Sequence, residues 1–221
     1  MKPKVGVVLS GCGVYDGAEI HESVLTLLAL DRAGAEAVCL APDVAQAHVV
    51  NHLTGQVAAG ESRNVLVEAA RIARGAVKDL AGFDPGGLDA LVLPGGFGAA
   101  KNLCDFAFRG AECEVNTDVA RVIRAVHAEG KPVGAICIAP VILANLLGAE
   151  KPRLTIGTDP GTAEAVGKMG GEHVSCGGGG AVVDAERRLV TTPAYMLESP
   201  ISEVSAGIEN LVGELLAMAK T

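Results

Sequence analysis

The sequence predicts an α/β protein with a doubly wound, mostly parallel sheet that is flanked by helices and interrupted by β-hairpin excursions. Short apolar runs of strand length alternate with longer segments of helical periodicity along the chain. This alternation is typical of parallel sheets with right-handed crossovers. Hydrophobic residues make up 49% of the 221 positions and 29 residues are glycine, which suits buried strands joined by tight turns. No internal repeat or linker divides the chain, so we predict a single domain over residues 1–221.

Local patterns predict the individual elements. The Val-rich residues 4–10 form the first strand, and a helix over residues 18–33 follows, capped by Asp16 and ended by Gly34. Asn64 is the predicted N-cap of the next helix. The remaining strands are predicted at residues 36–41, 88–93, 133–136 and 154–156, hairpins at 48–57 and 181–191, and helices at 65–74, 117–129, 139–147, 162–169 and 201–219.

Composition argues against several classes of partner and cofactor. A formal net charge of −8 and the absence of Trp do not suit a nucleic-acid or anionic-membrane partner. The six cysteines include no Cys-x-x-Cys pair and lie at no zinc-finger spacing from a histidine, so we expect free thiols, no metal and no cofactor. Residues 1–4 lead directly into a strand and no apolar run has the length of a bilayer span, so we expect a cytoplasmic protein.

Cys137 is the predicted nucleophile. It lies between a short buried strand, residues 133–136, and a helix that begins near Pro140, with almost no loop between them. A residue in such a turn projects from a strained backbone over the helix N-terminus. The helix dipole and the free N–H groups there stabilise an anion, so we expect a lowered pKa for the thiol. The alternative is a small buried hydrophobic residue, which is the commoner role of cysteine.

The run from Pro94 to Gly98 follows another buried strand and predicts an oxyanion hole. The active sites of open α/β sheets lie beyond the carboxyl ends of the strands, where this run and Cys137 meet. Glycine lacks the Cβ obstacle, so the amide of Gly96 is free to face an anion together with the amide of Ile138. The alternative is a tight turn without a ligand.

Glu22 lies on the first predicted helix. On a helical wheel Ile20, Val24, Leu27 and Leu28 form the predicted core face, and Glu22 borders that face. Partial burial raises the pKa of a carboxyl group, so we expect Glu22 to be an acid that hydrogen-bonds a thiolate. The alternative is an ordinary solvated carboxylate on the surface of the helix.

The order of these motifs resembles the class I glutamine amidotransferase-like superfamily, with its flavodoxin-like fold, in the PfpI-type branch of proteases, chaperones and glyoxalases. Strand, Pro-Gly-Gly, helix and Ala-Ile-Cys-x-Ala-Pro follow one another here. Residues 17–24 are similar to the Gly-Ala-x-x-x-Glu segment of that branch, which implies that Glu22 approaches the cysteine. The whole chain resembles the ElbB-type group, named for enhanced lycopene or isoprenoid biosynthesis. The runs that carry this resemblance are residues 7–17, 51–55, 94–102 and 191–197.

The resemblance implies slow, cofactor-independent glyoxalase chemistry of the hydro-lyase type, which converts glyoxal and other small 2-oxoaldehydes into glycolate and other 2-hydroxy acids. Cys137 would add to the aldehyde, Glu22 would move the proton, and the amides of Gly96 and Ile138 would hold the oxyanion. We place the substrate-binding residues at the same strand ends: Gly11, Cys12, Gly95, Asn102 and Tyr195. For Cys12, ordinary packing is an equal alternative.

The histidines depart from the superfamily pattern. Many members carry a histidine directly after the nucleophile or a short distance downstream, whereas here Ile138 follows it and residues 154–159 contain none. A Cys-His-acid triad is therefore absent, which is the reason to expect slow turnover. His173 lies further along, and the sequence leaves open whether it or a partner subunit completes the site. His21 points about 100° away from Glu22 on the helix and is expected at a surface or interface.

Two other functions compete with glyoxalase chemistry. One is a thiol sensor or regulatory binding protein that acts through oxidation of Cys137. The other is a nucleotide-binding oxidoreductase, suggested by Gly-x-Gly-x-x-x-Gly at residues 11–17. That spacing differs from G-x-G-x-x-G, and Asp43 is poorly placed for a ribose, so the second function is disfavoured.

Two long excursions predict a homodimer. Residues 48–57 and 99–114 carry apolar side chains, among them Leu53, Phe106 and Phe108, that such short segments cannot bury among themselves. Exposed apolar residues mark interfaces, and proteins of the resembled branch are commonly dimers. We therefore predict a two-fold homodimer, with one or both excursions at the interface or over Cys137.

Overall fold

The computed structural model describes residues 2–220; Met1, part of the N-terminal run considered above, lies outside them, as does Thr221. The strands are β1 (Lys4–Val8), β2 (Glu36–Ala41), β3 (Val50–Asn51), β4 (Gln56–Val57), β5 (Val77–Asp79), β6 (Ala90–Leu93), β7 (Val133–Ile136), β8 (Arg153–Leu154), β9 (Glu172–His173), β10 (Val182–Asp184) and β11 (Leu189–Thr192). The helices are α1 (Ile20–Arg32), α2 (Val65–Ile72), α3 (Phe106–Arg109), α4 (Thr117–Ala128), α5 (Pro140–Leu147), α6 (Pro160–Lys168) and α7 (Ile201–Ala219).

The central sheet has seven strands in the order β10-β11-β7-β6-β1-β2-β5. Neighbouring strands are parallel except β10, which pairs antiparallel with β11. The predicted doubly wound, mostly parallel sheet is therefore confirmed. Strand β5 was missed, because its three residues Val-Lys-Asp are short and polar. Residues 154–156 do not join this sheet, since β8 pairs only with β9 in a separate two-stranded ribbon.

Helices cover both faces of the sheet. On one face α4 and α5 bury side chains such as Ile123 and Leu143, and on the other α1 and α7 bury Leu30 and Ile208. Burying one such side chain fully stabilises the fold by roughly 1.5–3 kcal/mol relative to exposing it. Among the helices of the described residues, none is long and apolar enough to cross a membrane.

The predicted core face of α1 is wrong. The residues expected inside that face water are Ile20, Val24 and Leu28, with exposed fractions of 44%, 48% and 39%. The buried residues of the helix are Glu22, Ser23, Thr26, Ala29 and Leu30. Burial of the polar face is possible because the Ser23 and Thr26 hydroxyls donate hydrogen bonds of 2.7 Å to carbonyl oxygens one turn earlier.

The start of α1 also differs from the prediction. Glu19, and not Asp16, is the N-cap: its Oε2 accepts a hydrogen bond of 2.6 Å from the Glu22 amide. Asp16 is buried and its Oδ2 accepts a hydrogen bond of 2.7 Å from the Val50 amide. This bond ties the segment after β1 to the antiparallel pair β3–β4, which is the predicted hairpin excursion.

The excursion over residues 99–114 is ordered by local turns. A π-helical turn, Ala99–Leu103, precedes α3, and a 3-10 turn, Gly110–Glu112, follows it. An antiparallel bridge between Cys104 and Val115 brings the two ends of the segment together. Residues 99–114 therefore form a compact, ordered loop beside the carboxyl ends of the strands.

Candidate active site

The candidate site lies where the strand order reverses. From β1 the sheet grows through β2 in one direction, and from β6 it grows through β7 in the other. Such a switch point opens a crevice at the carboxyl ends of the strands. The N-terminus of α1 enters the crevice, where the Glu19 amide donates a hydrogen bond of 3.0 Å to the Gly95 carbonyl.

Cys137 lies in this crevice on a strained turn between β7 and α5. Its φ is +62°, in the left-handed region that a residue with a side chain rarely adopts. The backbone holds this conformation because the Cys137 amide donates a hydrogen bond of 2.9 Å to the Thr192 carbonyl on β11. The side chain is 7% exposed, and the predicted sharp strand-to-helix turn is present.

Glu22 is the carboxyl group that faces the thiol. It is fully buried and hydrogen-bonds the side chain of Cys137. Its two oxygens accept hydrogen bonds from backbone amides, Oε2 from Gly95 at 3.0 Å and Oε1 from Tyr195 at 3.3 Å. Three segments remote in sequence thus fix one carboxyl group, so the interpretation of Glu22 as a solvated surface residue is wrong.

Burial sets the protonation of both groups. It raises the pKa of the Cys137 thiol well above its ordinary value, and the charge of Glu22 adds to the rise. The predicted lowering of the thiol pKa is therefore wrong, because desolvation outweighs the helix terminus. Burial also raises the pKa of Glu22 to about 8, with the charge of Glu19 as the second cause, in the direction predicted.

Two glycines allow the backbone to approach the thiol closely. A Cβ on Gly95 would lie 2.5 Å from the Cβ of Cys137 and 2.9 Å from Oε2 of Glu22. Gly96 has a φ of +89°, and a Cβ there would lie 2.4 Å from the Glu19 amide nitrogen. The amides of Gly96 and Ile138 both hydrogen-bond the Cys137 sulfur, which lowers its pKa in part. The two predicted donors therefore converge on one point beside the nucleophile.

A cleft of about 420 Å³ opens in front of Cys137. Its walls are mainly apolar and carry few polar groups, as is common for small-molecule sites. The lining residues include Val14, Phe97, Ala100, Phe106, Ile138, Tyr195 and Met196. Ala100 and Phe106 belong to the excursion 99–114, which therefore lies over the cleft, one of the two places predicted for it.

Three polar lining residues were missed by sequence reasoning: Glu19, Asp159 and Thr162. Glu19 is a mostly buried carboxyl group one turn before Glu22, and that spacing on one helix was the available clue. Asp159 caps α6 by accepting a hydrogen bond of 2.7 Å from the Thr162 amide. Asp159 and Thr162 lie at the N-terminus of α6, which begins at Pro160, two residues before the predicted start, and no local pattern in the sequence indicated that this helix reaches the crevice.

Four of the predicted substrate-binding residues do not line the cleft: Gly11, Cys12, Gly95 and Asn102. Gly95 packs against Cys137 and donates its amide to Glu22 instead. Asn102 is engaged structurally, since its Nδ2 donates hydrogen bonds of 2.9 Å to the Ser10 and Asp16 carbonyls. Cys12 is partly exposed beside the charges of Glu68 and Arg71 on α2. Gly11 and Cys12 belong to the segment after β1, and Asn102 holds that segment in place through its two hydrogen bonds.

The histidines stay outside the cleft. His173 lies on β9 in the separate ribbon and is not among the residues lining the cleft. His21 is exposed, as predicted, and its Nδ1 hydrogen-bonds the Tyr195 hydroxyl at 2.9 Å. Within residues 2–220 no group of three or more His, Cys, Asp or Glu side chains is placed to hold a metal ion.

Comparison with known proteins identifies the family. The model of the DJ-1/PfpI family matches residues 12–195. The human "Glutamine amidotransferase-like class 1 domain-containing protein 3, mitochondrial" is 47% identical over 97% of this chain and 83% of its own length. The rat "ES1 protein homolog, mitochondrial" is 45% identical over 98% of this chain and 84% of its own length. These relatives contradict the expected cytoplasmic location, since their names place both of them in mitochondria.

Solved structures support the same assignment. The crystal structure of an isoprenoid biosynthesis protein with an amidotransferase-like domain from Ehrlichia chaffeensis superposes with a TM-score of 0.89 at 37% identity, covering 97% of this chain and 99% of that one. Glyoxalase III from Candida albicans superposes with a TM-score of 0.62 at 17% identity, covering 96% of this chain and 97% of that one, which shows a shared fold alone. Family model, relatives and fold agree, and the chain belongs to the DJ-1/PfpI family, with a class I glutamine amidotransferase-like fold.

Proposed function

We propose that this protein is a cofactor-independent glyoxalase of the ElbB type, which converts glyoxal and water into glycolate. The observation that carries the proposal is the buried pair of Glu22 and Cys137, with two backbone amides directed at the sulfur. A buried acid–base group beside a nucleophile and oxyanion donors is the equipment that an aldehyde isomerisation requires.

The first step is addition of sulfur to the aldehyde. The Glu22 carboxylate takes the thiol proton of Cys137 while the sulfur bonds to C1 of glyoxal. The C1 oxygen becomes an alkoxide that accepts hydrogen bonds from the amides of Gly96 and Ile138. Glu22 then returns its proton to that oxygen, which gives a hemithioacetal. A carboxyl pKa of about 8 suits this exchange, because it lies closer to that of a thiol than an ordinary carboxyl pKa does.

The second step moves a proton between the two carbons. Glu22 removes the C1 proton, and the electron pair forms a C1–C2 double bond in an enediolate. Glu22 then returns the proton to C2 while the proton of the C1 hydroxyl passes to the C2 oxygen, so that C1 is oxidised to a thioester and C2 is reduced to an alcohol. Water cleaves the thioester, which releases glycolate and restores the Cys137 thiol. No external oxidant or reductant is needed, because the oxidation at C1 is balanced by the reduction at C2.

The protonation state of Glu22 and Cys137 sets the pH range in which the proposed reaction proceeds. Glu22 must be ionised to accept the thiol proton, and burial holds its pKa at about 8. Below that pH the carboxyl group is mostly protonated, so addition slows as the pH falls. The cleft lining includes no histidine, and Glu22 is the acid–base group that hydrogen-bonds Cys137, which supports slow turnover.

The test is direct detection of the product. The full chain is incubated with ¹³C-labelled glyoxal at pH 8, and glycolate is followed by NMR against a protein-free control. We expect glycolate to form in proportion to protein concentration without added thiol or metal. Formation at the protein-free rate would exclude this activity.

A thiol sensor is the alternative function. Peroxide reacts with thiolate, and burial together with the charge of Glu22 opposes thiolate formation at Cys137. The geometry therefore favours proton exchange with a bound aldehyde over oxidation. Rapid sulfinate formation at Cys137 in dilute peroxide, without glycolate production, would favour the sensor.

We further propose that the protein is linked to isoprenoid biosynthesis. It is supported by the resemblance of the whole chain to the ElbB-type group and by the 37% identity to the Ehrlichia chaffeensis protein of that description. We expect overproduction of the chain in carotenoid-producing cells to raise lycopene yield, and the same yield with and without the protein would contradict the link.

A homodimer is the proposed assembly. The exposed apolar stripe of Ile20, Val24 and Leu28 lies along one side of α1, and a straight stripe of this kind can pair with a second copy about a two-fold axis. Sedimentation at micromolar concentration is expected to show two chain masses, and Val24→Glu to shift the species toward one. A wild-type monomer would contradict the dimer.

A further inference from the structure

Cys104 and Cys113 bring two free thiols together at the ends of one short segment, away from Cys137. Cys104 pairs with Val115 in an isolated antiparallel bridge, and Cys113 lies two residues before Val115. The two thiols hydrogen-bond each other. Both are free and buried, with exposed fractions of 4% and 6%.

Ion pairs and backbone bonds hold the ends of the segment in this position. The Asp105 amide donates a hydrogen bond of 3.2 Å to the Glu114 carbonyl. Arg109 Nη1 lies 3.3 Å from a carboxylate oxygen of Asp105 and 2.8 Å from one of Glu114. A bond between the two sulfurs would therefore join groups that are already adjacent, which favours ring closure.

The surroundings distinguish the two thiols. The Asn145 amide nitrogen lies 3.5 Å from the Cys113 sulfur, and the Cys104 thiol donates to that sulfur; together these contacts lower the pKa of Cys113. The Cys104 sulfur also lies 3.3 Å from the Ala99 carbonyl oxygen, the alternative acceptor for its single proton, and the hydrogen bond with Cys113 together with burial raises the pKa of Cys104. Cys113 is therefore the thiol that reacts first, and Cys104 the one that follows.

A basic groove gives access to Cys113. The groove has a volume of about 520 Å³ and is lined by Cys113, Arg121, Arg124 and Asn145, among others. Arg121 donates to the Leu80 and Phe83 carbonyls. Arg124 is exposed and has no ion pair or hydrogen bond in the part of the chain that the structure describes, so its charge is available to a ligand. The acidic lining residue Glu114 is paired with Arg109.

We propose that Cys104 and Cys113 form a redox-active dithiol that is oxidised to an intramolecular disulfide by a small anionic disulfide of the glutathione class, bound in the basic groove. The Cys113 sulfur attacks one sulfur of glutathione disulfide, whose S–S bond breaks, and one glutathione leaves as a thiolate. That thiolate takes the proton of Cys104, whose sulfur attacks Cys113 and releases the second glutathione as a thiolate, which takes up a proton from water in place of the one that Cys113 gave up to water on reacting. Two electrons and two protons thus pass from the dithiol to glutathione disulfide.

Oxidation would act on the wall of the cleft. The segment between the two cysteines contains Phe106 and Ala107, which line the cleft in front of Cys137. A disulfide would join the two ends of that segment covalently. This site is separate from the proposed chemistry of Cys137, so either proposal stands if the other fails.

The experiment uses the full chain with Cys137→Ser, so that oxidation at the cleft does not interfere. The protein is incubated with glutathione disulfide, remaining thiols are trapped with N-ethylmaleimide, and peptides are analysed by mass spectrometry. We expect a peptide pair joined through Cys104 and Cys113, and with Cys104→Ser a stable glutathione adduct on Cys113. Oxidation with neutral 2-hydroxyethyl disulfide is expected to be about fivefold to tenfold slower, and Arg124→Gln to remove that difference.

Three results would overturn the proposal. The first is a Cys104–Cys113 pair that stays reduced while the partly exposed Cys12 and Cys176 form adducts. The second is a glutathione adduct on Cys104 in the Cys113→Ser variant, which would reverse the assigned order. The third is an equal oxidation rate with glutathione disulfide and with 2-hydroxyethyl disulfide, which would show that the basic groove does not favour an anionic ligand. The first measurement needs no change at either cysteine, so it holds even if the substituted variants fold poorly.

Discussion

Cys137 and Cys113 are buried to nearly the same extent, with exposed fractions of 7% and 6%, yet their surroundings act on the two thiols in opposite directions. Burial and the neighbouring charge of Glu22 raise the pKa of Cys137. The hydrogen bond from Cys104 and the amide of Asn145 lower the pKa of Cys113. Burial is the largest cause of the raised pKa of Cys137, whereas at Cys113 the hydrogen bond from Cys104 outweighs the effect of burial.

The two environments suit different chemistry. A carboxyl neighbour competes with the thiolate for negative charge but exchanges protons with it, which suits addition to a carbonyl compound. A thiol neighbour donates a hydrogen bond and is itself oxidisable, which suits disulfide exchange. The predictions below test this difference, from the largest expected effect to the smallest.

Cys137→Ser is expected to have the largest effect. A hydroxyl in that position is a far weaker nucleophile, so formation of glycolate from glyoxal should fall on the order of 10³-fold or more. Cys113→Ser is the matched control, because it removes an equally buried thiol outside the cleft, and it should keep the wild-type rate. The two variants are compared by glycolate production under identical conditions. Equal losses in both would show that the reaction depends on folding rather than on Cys137.

Glu22→Gln keeps the shape of the side chain and removes its proton exchange. We expect a loss on the order of 10²- to 10³-fold in kcat/KM. In the wild type kcat/KM should rise with pH up to about 8, because ionised Glu22 accepts the thiol proton and protonated Glu22 does not. The variant should lack this rise. A pH profile with the same inflection in both proteins would assign it to another group.

Gly95→Ala tests the close approach around Cys137. The added Cβ would lie 2.5 Å from the Cβ of Cys137 and 2.8 Å from the Ile136 carbonyl oxygen, so these groups must shift. We expect a loss of about 1–3 kcal/mol in the free energy of unfolding, measured with urea. Gly213→Ala in α7 is the control, since its Cβ meets open space, and it should gain about 0.5–1 kcal/mol. Equal stability of Gly95→Ala and wild type would contradict the packing described.

Alkylation compares the two thiols directly. With iodoacetamide at pH 7, Cys113 should be labelled about tenfold faster than Cys137, because thiolate is the reacting form and each pKa unit changes its fraction about tenfold. At pH 9.5 the ratio should shrink. Mass spectrometry of both peptides from one sample provides the rates. Faster labelling of Cys137 at neutral pH would mean that its surroundings favour thiolate after all.

Much of the fold was predictable from local patterns. Strand β7 and helix α7 begin and end at the predicted residues, because an apolar run bounded by Pro132 and a long amphipathic repeat are strong local patterns. Strand β5 was missed, since three residues that include Lys78 and Asp79 carry no such pattern. The orientation of α1 was also wrong, because Ile20 and its apolar neighbours look like a core face in isolation.

The candidate site was likewise predictable in part from the sequence. The tight turn at Cys137, the Pro-Gly-Gly turn and the convergence of the Gly96 and Ile138 amides were expected, whereas Glu19 was missed and Asn102 proved structural. Turn geometry depends on the few residues that form the turn. Membership of the cleft depends on which remote segments pack together.

The sequence alone determined the order of strands and helices, the position of the nucleophile and the resemblance to a known superfamily. Runs of a few residues carry all three, because the backbone preferences of glycine, proline and apolar residues act locally. The folded arrangement alone established the burial of Glu22, the raised pKa of Cys137 and the contact between Cys104 and Cys113. These properties sum desolvation and hydrogen bonds from segments far apart, such as the Tyr195 amide on Glu22, 173 positions away. Burial and electrostatics act through space, and no local window of sequence contains them.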